Sequence, residues 1–167
     1  MTEATQVSQP NSQKKASERR VPAFLKGANK VLAFLVKRNM GPKNVFILVT
    51  TTGRKSGKRF TTPIGYVRDG KDIVSFTITA RGGASQWYKN ILKNPQATLT
   101  LKGKEIEVKG TPVEGDSEIL KVLAIYKKSR PQDMKRFFGV QPDGTDEELL
   151  HAKEKVLFVR WHPINKG

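Results

Sequence analysis

The chain has no cysteine among its 167 residues and only two histidines, His151 and His162. The first absence excludes a disulfide framework and a thiolate metal site. The second leaves no histidine pair at metal-ligand spacing. No run approaches the roughly 18 consecutive apolar residues of a membrane span, and the N-terminus lacks the apolar core of a secretory signal. These absences imply a cytoplasmic protein, and the length implies one domain able to bury a sizeable core. Acidic side chains are scarce too: 15 Asp and Glu stand against 31 Lys and Arg, a net charge of +16. The scarcity is greatest at the start, where residues 1–60 hold thirteen Lys or Arg and two Glu. Such an excess implies an anionic partner: nucleic acid, a lipid surface, or a phosphorylated or polycarboxylate ligand.

What is present begins with a polar tail. Residues 1–20 are rich in Ser, Gln, Thr and charge, and bury too little apolar surface to offset the entropy of ordering. Over residues 21–40, Phe24, Leu25, Ala28, Val31, Leu32 and Leu35 recur at helical spacing before Gly41-Pro42 ends the pattern. Lys26, Asn29, Lys30 and Lys37 surround the other face. Such a helix either packs on the core or lies, through residues 21–38, in an anionic membrane interface at the inner face.

Residues 41–167 read as a single β-rich domain. The apolar run at 45–50, extended by Thr51 and Thr52, is a strand, and 60–67 is a second. Asp69-Gly70 signals a hairpin into a third strand over 72–79. Gly82-Gly83 breaks the chain. Ser85 is placed to cap a short helix carrying Trp87, Tyr88, Ile91 and Leu92, which Asn94-Pro95 stops. Alternation resumes over 97–101, turns at Gly103 and runs through Ile106, Val108 and Val113. Asp116 opens a helix with Ile119, Leu120, Leu123 and Tyr126 on one face. Residues 130–150 read as short helices and loops, and 156–159 as the last strand. Hairpin-linked strands with few helices between them argue against a doubly wound parallel sheet. They fit a mainly β, α+β class: a small antiparallel barrel or half-open sheet with helices packed on it.

The segment LVTTTGRKSGKRFTTP, residues 48–63, places four cations in one turn between two of these strands. It is not a nucleotide-triphosphate loop. That motif needs four residues between its glycines and opens a helix, whereas Gly53 and Gly57 have three between them and a strand follows. A solvated hairpin tip would explain the charge. Pro63 argues for more, because a residue without an N–H suggests backbone groups turned away from sheet pairing and open to a ligand. Cations, hydroxyls and free amides together suit phosphate or carboxylate. Specific nucleic-acid binding is disfavoured, since Phe60 is the one aromatic near the loop and stacking platforms need several.

TTTGRKSGK followed by Thr-Thr-Pro, then YVRDG, then GG…WYKNILKNP, in this order and spacing, resembles the deazaflavin-dependent nitroreductase and quinone reductase family. The resemblance covers residues 21–128 and, more loosely, the terminal strand. It implies a split β-barrel related to the FMN-binding, pyridoxamine-phosphate-oxidase-like fold. It also implies use of the reduced 8-hydroxy-5-deazaflavin coenzyme (F-420), with a quinone, nitroaromatic or similar electrophile as hydride acceptor. By the same resemblance, Arg54, Lys55, Ser56 and Lys58 would bind the coenzyme's phosphate and oligoglutamate tail. Arg59, Thr61, Thr62 and Pro63 would border the ring, and Thr79, Ala80, Arg81 and Gly82 would line the ring and phosphate region. Trp87 and Asn90 match the family's short helix, and Tyr126 matches a tyrosine beside the substrate pocket. The last has a plainer reading as the final apolar position of its helix face. Phe60 stands where many members carry an arginine. Relatives of the fold also bind FMN, haem or fatty acyl ligands, so a non-catalytic binding protein is the alternative, as a monomer or homodimer.

Overall fold

The computed structural model describes Lys30, Ala33, Phe34 and residues 45–79 and 83–164. The tail expected over 1–20 lies outside them. So does most of the helix expected over 21–40, of which Lys30, Ala33 and Phe34 are described and helical. The chain then runs through β1 (Phe46–Thr52), β2 (Arg59–Asp69), β3 (Asp72–Ile78), α1 (Gln86–Lys93), β4 (Gln96–Leu101) and β5 (Lys104–Pro112). After these come α2 (Asp116–Ser129) and the short α3 (Pro131–Asp133), which continues into a π-helical turn (Met134–Phe138). α4 (Asp146–Leu150), a 3-10 turn (His151–Glu154) and β6 (Val156–Pro163) complete it. No described helix is long and apolar enough to cross a membrane.

The strands close into an antiparallel barrel in the order β1-β2-β3-β6-β5-β4, with β4 returning to β1. Of the two architectures the sequence allowed, the closed barrel is the one formed. The hairpin tips follow from local chemistry. Gly70, at φ 59, sits between the paired Asp69 and Asp72, where a two-residue loop demands a positive φ.

Two cores result. Inward-facing residues of every strand, among them Ile47, Val49, Ile64, Tyr66, Leu99 and Trp161, fill the barrel, and Trp87, Tyr88 and Ile91 of α1 plug it. Trp161 fits because Gly110 carries no side chain: an ideal Cβ there would stand 2.6 Å from the indole ring. The second core lies between the barrel wall and α2, α3 and α4, with Val74 and Phe158 facing Val122, Leu123, Tyr126 and Phe138.

The pairing of β2 is uneven, and this positions the site. Along β1 it runs the full length from Arg59 to Gly65, but the β3 ladder begins only at Tyr66 opposite Ser75. Among the described residues, 59–65 therefore have a strand on one side only. Pro63 lies in this one-sided stretch, where a residue lacking an N–H is accommodated. At α1, Ser85 occupies the cap position but does not cap. Its hydroxyl meets that of Thr77 at 2.7 Å, and its backbone N–H donates to the same Thr77 oxygen at 3.1 Å. Of the apolar residues this helix carries, Trp87, Tyr88 and Ile91 are buried and Leu92 is exposed.

Candidate functional site

The turn from β1 to β2 is built by its backbone. Gly53 N–H donates to the Lys58 carbonyl at 2.7 Å, and Gly57 N–H donates to the Gly53 carbonyl at 2.8 Å. Gly57 takes φ 67, which favours glycine. The Ser56 hydroxyl accepts from Lys58 N–H at 3.3 Å. The Phe60 ring packs over Gly53, and a Cβ on that glycine would fall 2.6 Å from the ring edge. The turn and the one-sided start of β2 form one wall of a cleft of about 350 Å³, and α1 forms the other. Thr51, Gly53, Arg54, Lys55, Ser56, Phe60, Thr61 and Thr62 line the first wall, and Gln86, Trp87 and Asn90 the second.

α1 holds the turn by named contacts. Asn90 is buried (4 % exposed) and bonds the facing wall through both ends of its amide. Its Oδ1 accepts from Arg54 N–H at 3.2 Å and from Arg54 Nη1 at 3.3 Å, and its Nδ2 donates to Thr51 Oγ1 at 3.1 Å. Arg54 Nη1 also donates to Gln86 Oε1 at 2.8 Å. Trp87 is anchored from below by Trp161, with ring centroids 5.9 Å apart. The guanidinium is thus oriented by neutral acceptors that leave its charge uncancelled.

The electrostatics of the cleft follow. Among the described residues, the basic side chains in ion pairs are Lys121, Lys153, Arg130 and Arg160, and His151 and His162 also lie against carboxylates. Arg54, Lys55 and Lys58 are not among them, and none of the described residues that line the cleft is a carboxylate. The cleft therefore combines cations with the apolar side chains of Phe60 and Trp87.

Seven residues singled out in the sequence line this cleft: Arg54, Lys55, Ser56, Thr61, Thr62, Trp87 and Asn90. Others do not. Arg59 points to the opposite face of β2, where its Nη2 donates to Thr98 Oγ1 at 2.7 Å, and Thr98 in turn donates to Glu107 at 2.9 Å. Lys58 and Pro63 are absent from the lining. Thr79 engages the turn before β6, donating from N to the Lys155 carbonyl at 2.8 Å and from Oγ1 to that of Glu154 at 3.3 Å. Ala80, Arg81 and Gly82 lie outside the described residues. Tyr126, expected beside the substrate, is fully buried in the second core instead. It packs on Phe138 at 4.9 Å, its hydroxyl has no partner among the described residues, and burial pushes that hydroxyl far above the ordinary tyrosine range. Thr51, Gly53, Phe60 and Gln86 line the cleft although sequence reasoning did not place them there. Strand alternation would have found Phe60, since it shares its face with Thr62 and Ile64.

A model of the F420H(2)-dependent quinone reductase family matches residues 30–142, more than half the chain. The chain belongs to that family. It is a reductase that uses reduced coenzyme F420 as its cofactor. Solved structures share the split β-barrel fold. A putative 5-nitroimidazole antibiotic resistance protein from Bacteroides thetaiotaomicron is 10% identical with a TM-score of 0.51, covering 81% of this chain and 80% of its own. Atu2129 from Agrobacterium tumefaciens, of unknown function, is 12% identical with a TM-score of 0.52, covering 88% of this chain and 58% of its own. An F420-H2 dependent reductase (FDR-A) is 20% identical over 71% of this chain and 96% of its own, with a TM-score of 0.48. The donor set of the family member described here fits an anionic cofactor. Unpaired cations and a hydroxyl converge on a cleft free of carboxylates, beside an apolar surface that suits a flat ring.

Proposed function

We propose that the cleft between the 53–58 turn and α1 is the F420 site, and that the enzyme passes hydride from the reduced coenzyme to a quinone or a similar small electrophile such as a nitroaromatic. The observation that carries this reading is the composition of the cleft: Arg54 and Lys55 share it with the apolar side chains of Phe60 and Trp87, and no acid is among the described residues that line it. When bound, the coenzyme supplies a hydride from its own ring. The chain's residues do the rest. Arg54, pre-oriented by Gln86 and Asn90, and Lys55 and Ser56 beside it, hold phosphate and carboxylate oxygens. The one-sided edge at Thr61 and Thr62 offers backbone groups to the polar rim of a ring. Trp87, fixed by Trp161, keeps the inner wall rigid and dry.

The test is a fluorescence titration of the purified protein with coenzyme F420. Arg54→Ala with Lys55→Ala is expected to weaken binding at least tenfold while the circular dichroism spectrum stays unchanged. Oxidation of the reduced coenzyme by a naphthoquinone and by a nitroaromatic, measured side by side, identifies the acceptor class. Retention of FMN or haem through purification, with no binding of F420, would reject the reading in favour of a non-catalytic binding protein.

A further inference from the structure

A second cavity, of about 430 Å³, lies at the far end of β1 from the basic turn. The β1–β4 register sets Leu48 opposite Thr100 and so carries Lys102 to the level of Phe46, the first residue of β1. Arg130 reaches the same end, donating from Nη1 to the carbonyl of Val45 at 3.0 Å. The lining joins three cations from three separate elements: Arg68 of β2, Lys102 of the β4–β5 turn and Arg130 after α2, with Tyr66, Val67 and Ser129 between them. No acid lines it.

Two features argue that this is built rather than a by-product of a basic chain. Arg130 is mostly buried, with 15 % of its side chain exposed, and its Nε bonds the Asp133 carboxylate at 2.7 Å. Its planar fork is therefore held in one orientation by that carboxylate together with the carbonyls of Val45 and Tyr66, which accept from Nη1 at 3.0 and 3.5 Å. Lys102 stands at φ 50, the one described non-glycine residue with a positive φ. A hairpin tip favours glycine or asparagine there, yet this turn keeps a lysine whose side chain lines the cavity. Cations at a helix C-terminus complement the helix dipole, which explains Lys127, Lys128 and part of Arg130. It does not explain Arg68 or Lys102, which belong to the sheet and have no carboxylate partner among the described residues.

We propose that this cavity is a second anion site, separate from the coenzyme cleft, that takes a phosphate monoester. Arg68 can present paired N–H donors to phosphate oxygens. Arg130 adds the donors of Nη2, its Nη1 and Nε being engaged by Val45, Tyr66 and Asp133. Lys102 adds a point charge, and the Ser129 hydroxyl adds a further hydrogen-bonding group. Val67 gives an apolar wall for the organic part of the ester. The same chemistry is offered by a small soluble phosphate ester and by a lipid with a phosphomonoester headgroup.

The experiment follows backbone amide shifts of the isotopically labelled full-length protein during titration with glycerol 3-phosphate. In parallel, it measures co-sedimentation with phosphatidylcholine vesicles with and without phosphatidate. The amides of Arg68, Lys102 and Ser129 are expected to shift and saturate with one dissociation constant. Lys102→Gly, which suits φ 50, and Arg68→Gln are each expected to weaken that constant at least tenfold while shifts at Gly53 to Lys58 stay as in the parent. Phosphatidate-dependent pelleting that Lys102→Gly abolishes assigns the ligand to lipid. Saturation by the soluble ester, with pelleting unaltered by Lys102→Gly, assigns it to the free ester. Shifts that chloride reproduces, that never saturate or that survive both substitutions overturn the proposal, as does silence in both arms. Neither arm uses the coenzyme, so the outcome is independent of the hydride-transfer reading.

Discussion

An ideal Cβ on Gly53 would lie 2.6 Å from the Phe60 ring and 2.8 Å from the Ser56 hydroxyl. The glycine is therefore needed for what sits on it, since its own φ is not in the left-handed region. Gly53→Ala is expected to push the half-exposed ring (49 % exposed) into the cleft and cost about 1–3 kcal/mol of stability. Adding Phe60→Ala removes the obstacle, so the double variant should recover about 1 kcal/mol or more relative to additivity in urea unfolding. Strict additivity would mean that another contact bears the strain. Tyr126 makes the opposite case. Its hydroxyl is buried without a partner among Phe76, Phe138 and Phe158. Tyr126→Phe is expected to leave the rate of coenzyme oxidation unchanged and to alter stability by no more than about 1 kcal/mol, on the stabilising side. A hundredfold fall in turnover would return Tyr126 to the catalytic residues. The motif that carried the resemblance pointed to Tyr126 as a substrate neighbour, while its helical spacing with Ile119 and Leu123 pointed to the core. The spacing was the better guide, because it reports packing directly.

At the scale of elements, one amide joins α1 to the basic turn. Asn90→Ala removes the acceptor for Arg54 and the donor to Thr51, leaving buried polar groups unpaired. It should lower stability by about 1–3 kcal/mol and weaken coenzyme binding with it. Asn90→Asp separates the two effects. The carboxylate still accepts from Arg54, and the Thr51 hydroxyl can rotate to donate. Its charge, however, cancels that of Arg54 at the mouth of an anion site. Near-parental urea unfolding with at least tenfold weaker F420 binding is the expected pair of results; equal binding would mean that Arg54 does not face the ligand. The elements themselves were legible where their causes are local. Asp69-Gly70 marked the β2–β3 hairpin, Asn94-Pro95 ended α1, and β-branched residues marked β1. Less legible was anything fixed by a distant partner. Ser85 looked like a cap until Thr77 claimed its hydroxyl. Arg59 looked like a ligand contact until the β1–β4 pairing brought Thr98 beneath it.

For the whole molecule, barrel closure and charge stand at opposite ends of legibility. Closure depends on β4 returning to β1 and β6 inserting between β3 and β5, pairings between segments far apart in sequence that no local pattern encodes. Charge is additive and was readable at once: +16 overall, with thirteen Lys or Arg against two Glu in residues 1–60. Its kinetic consequence is specific. An anionic coenzyme approaching a cleft whose cations lack carboxylate partners is drawn by a field that salt screens within a Debye length of about 8 Å at physiological strength. Stopped-flow fluorescence should show the association rate constant falling on the order of tenfold between roughly 25 and 400 mM salt, with dissociation changing much less. Arg54→Ala with Lys55→Ala should raise the dissociation rate and flatten only part of the salt slope, because most of the charge lies elsewhere on the chain. An association rate indifferent to salt would mean that the excess charge serves a different anion. The cavity at Arg68, Lys102 and Arg130 would then be the first place to look for it.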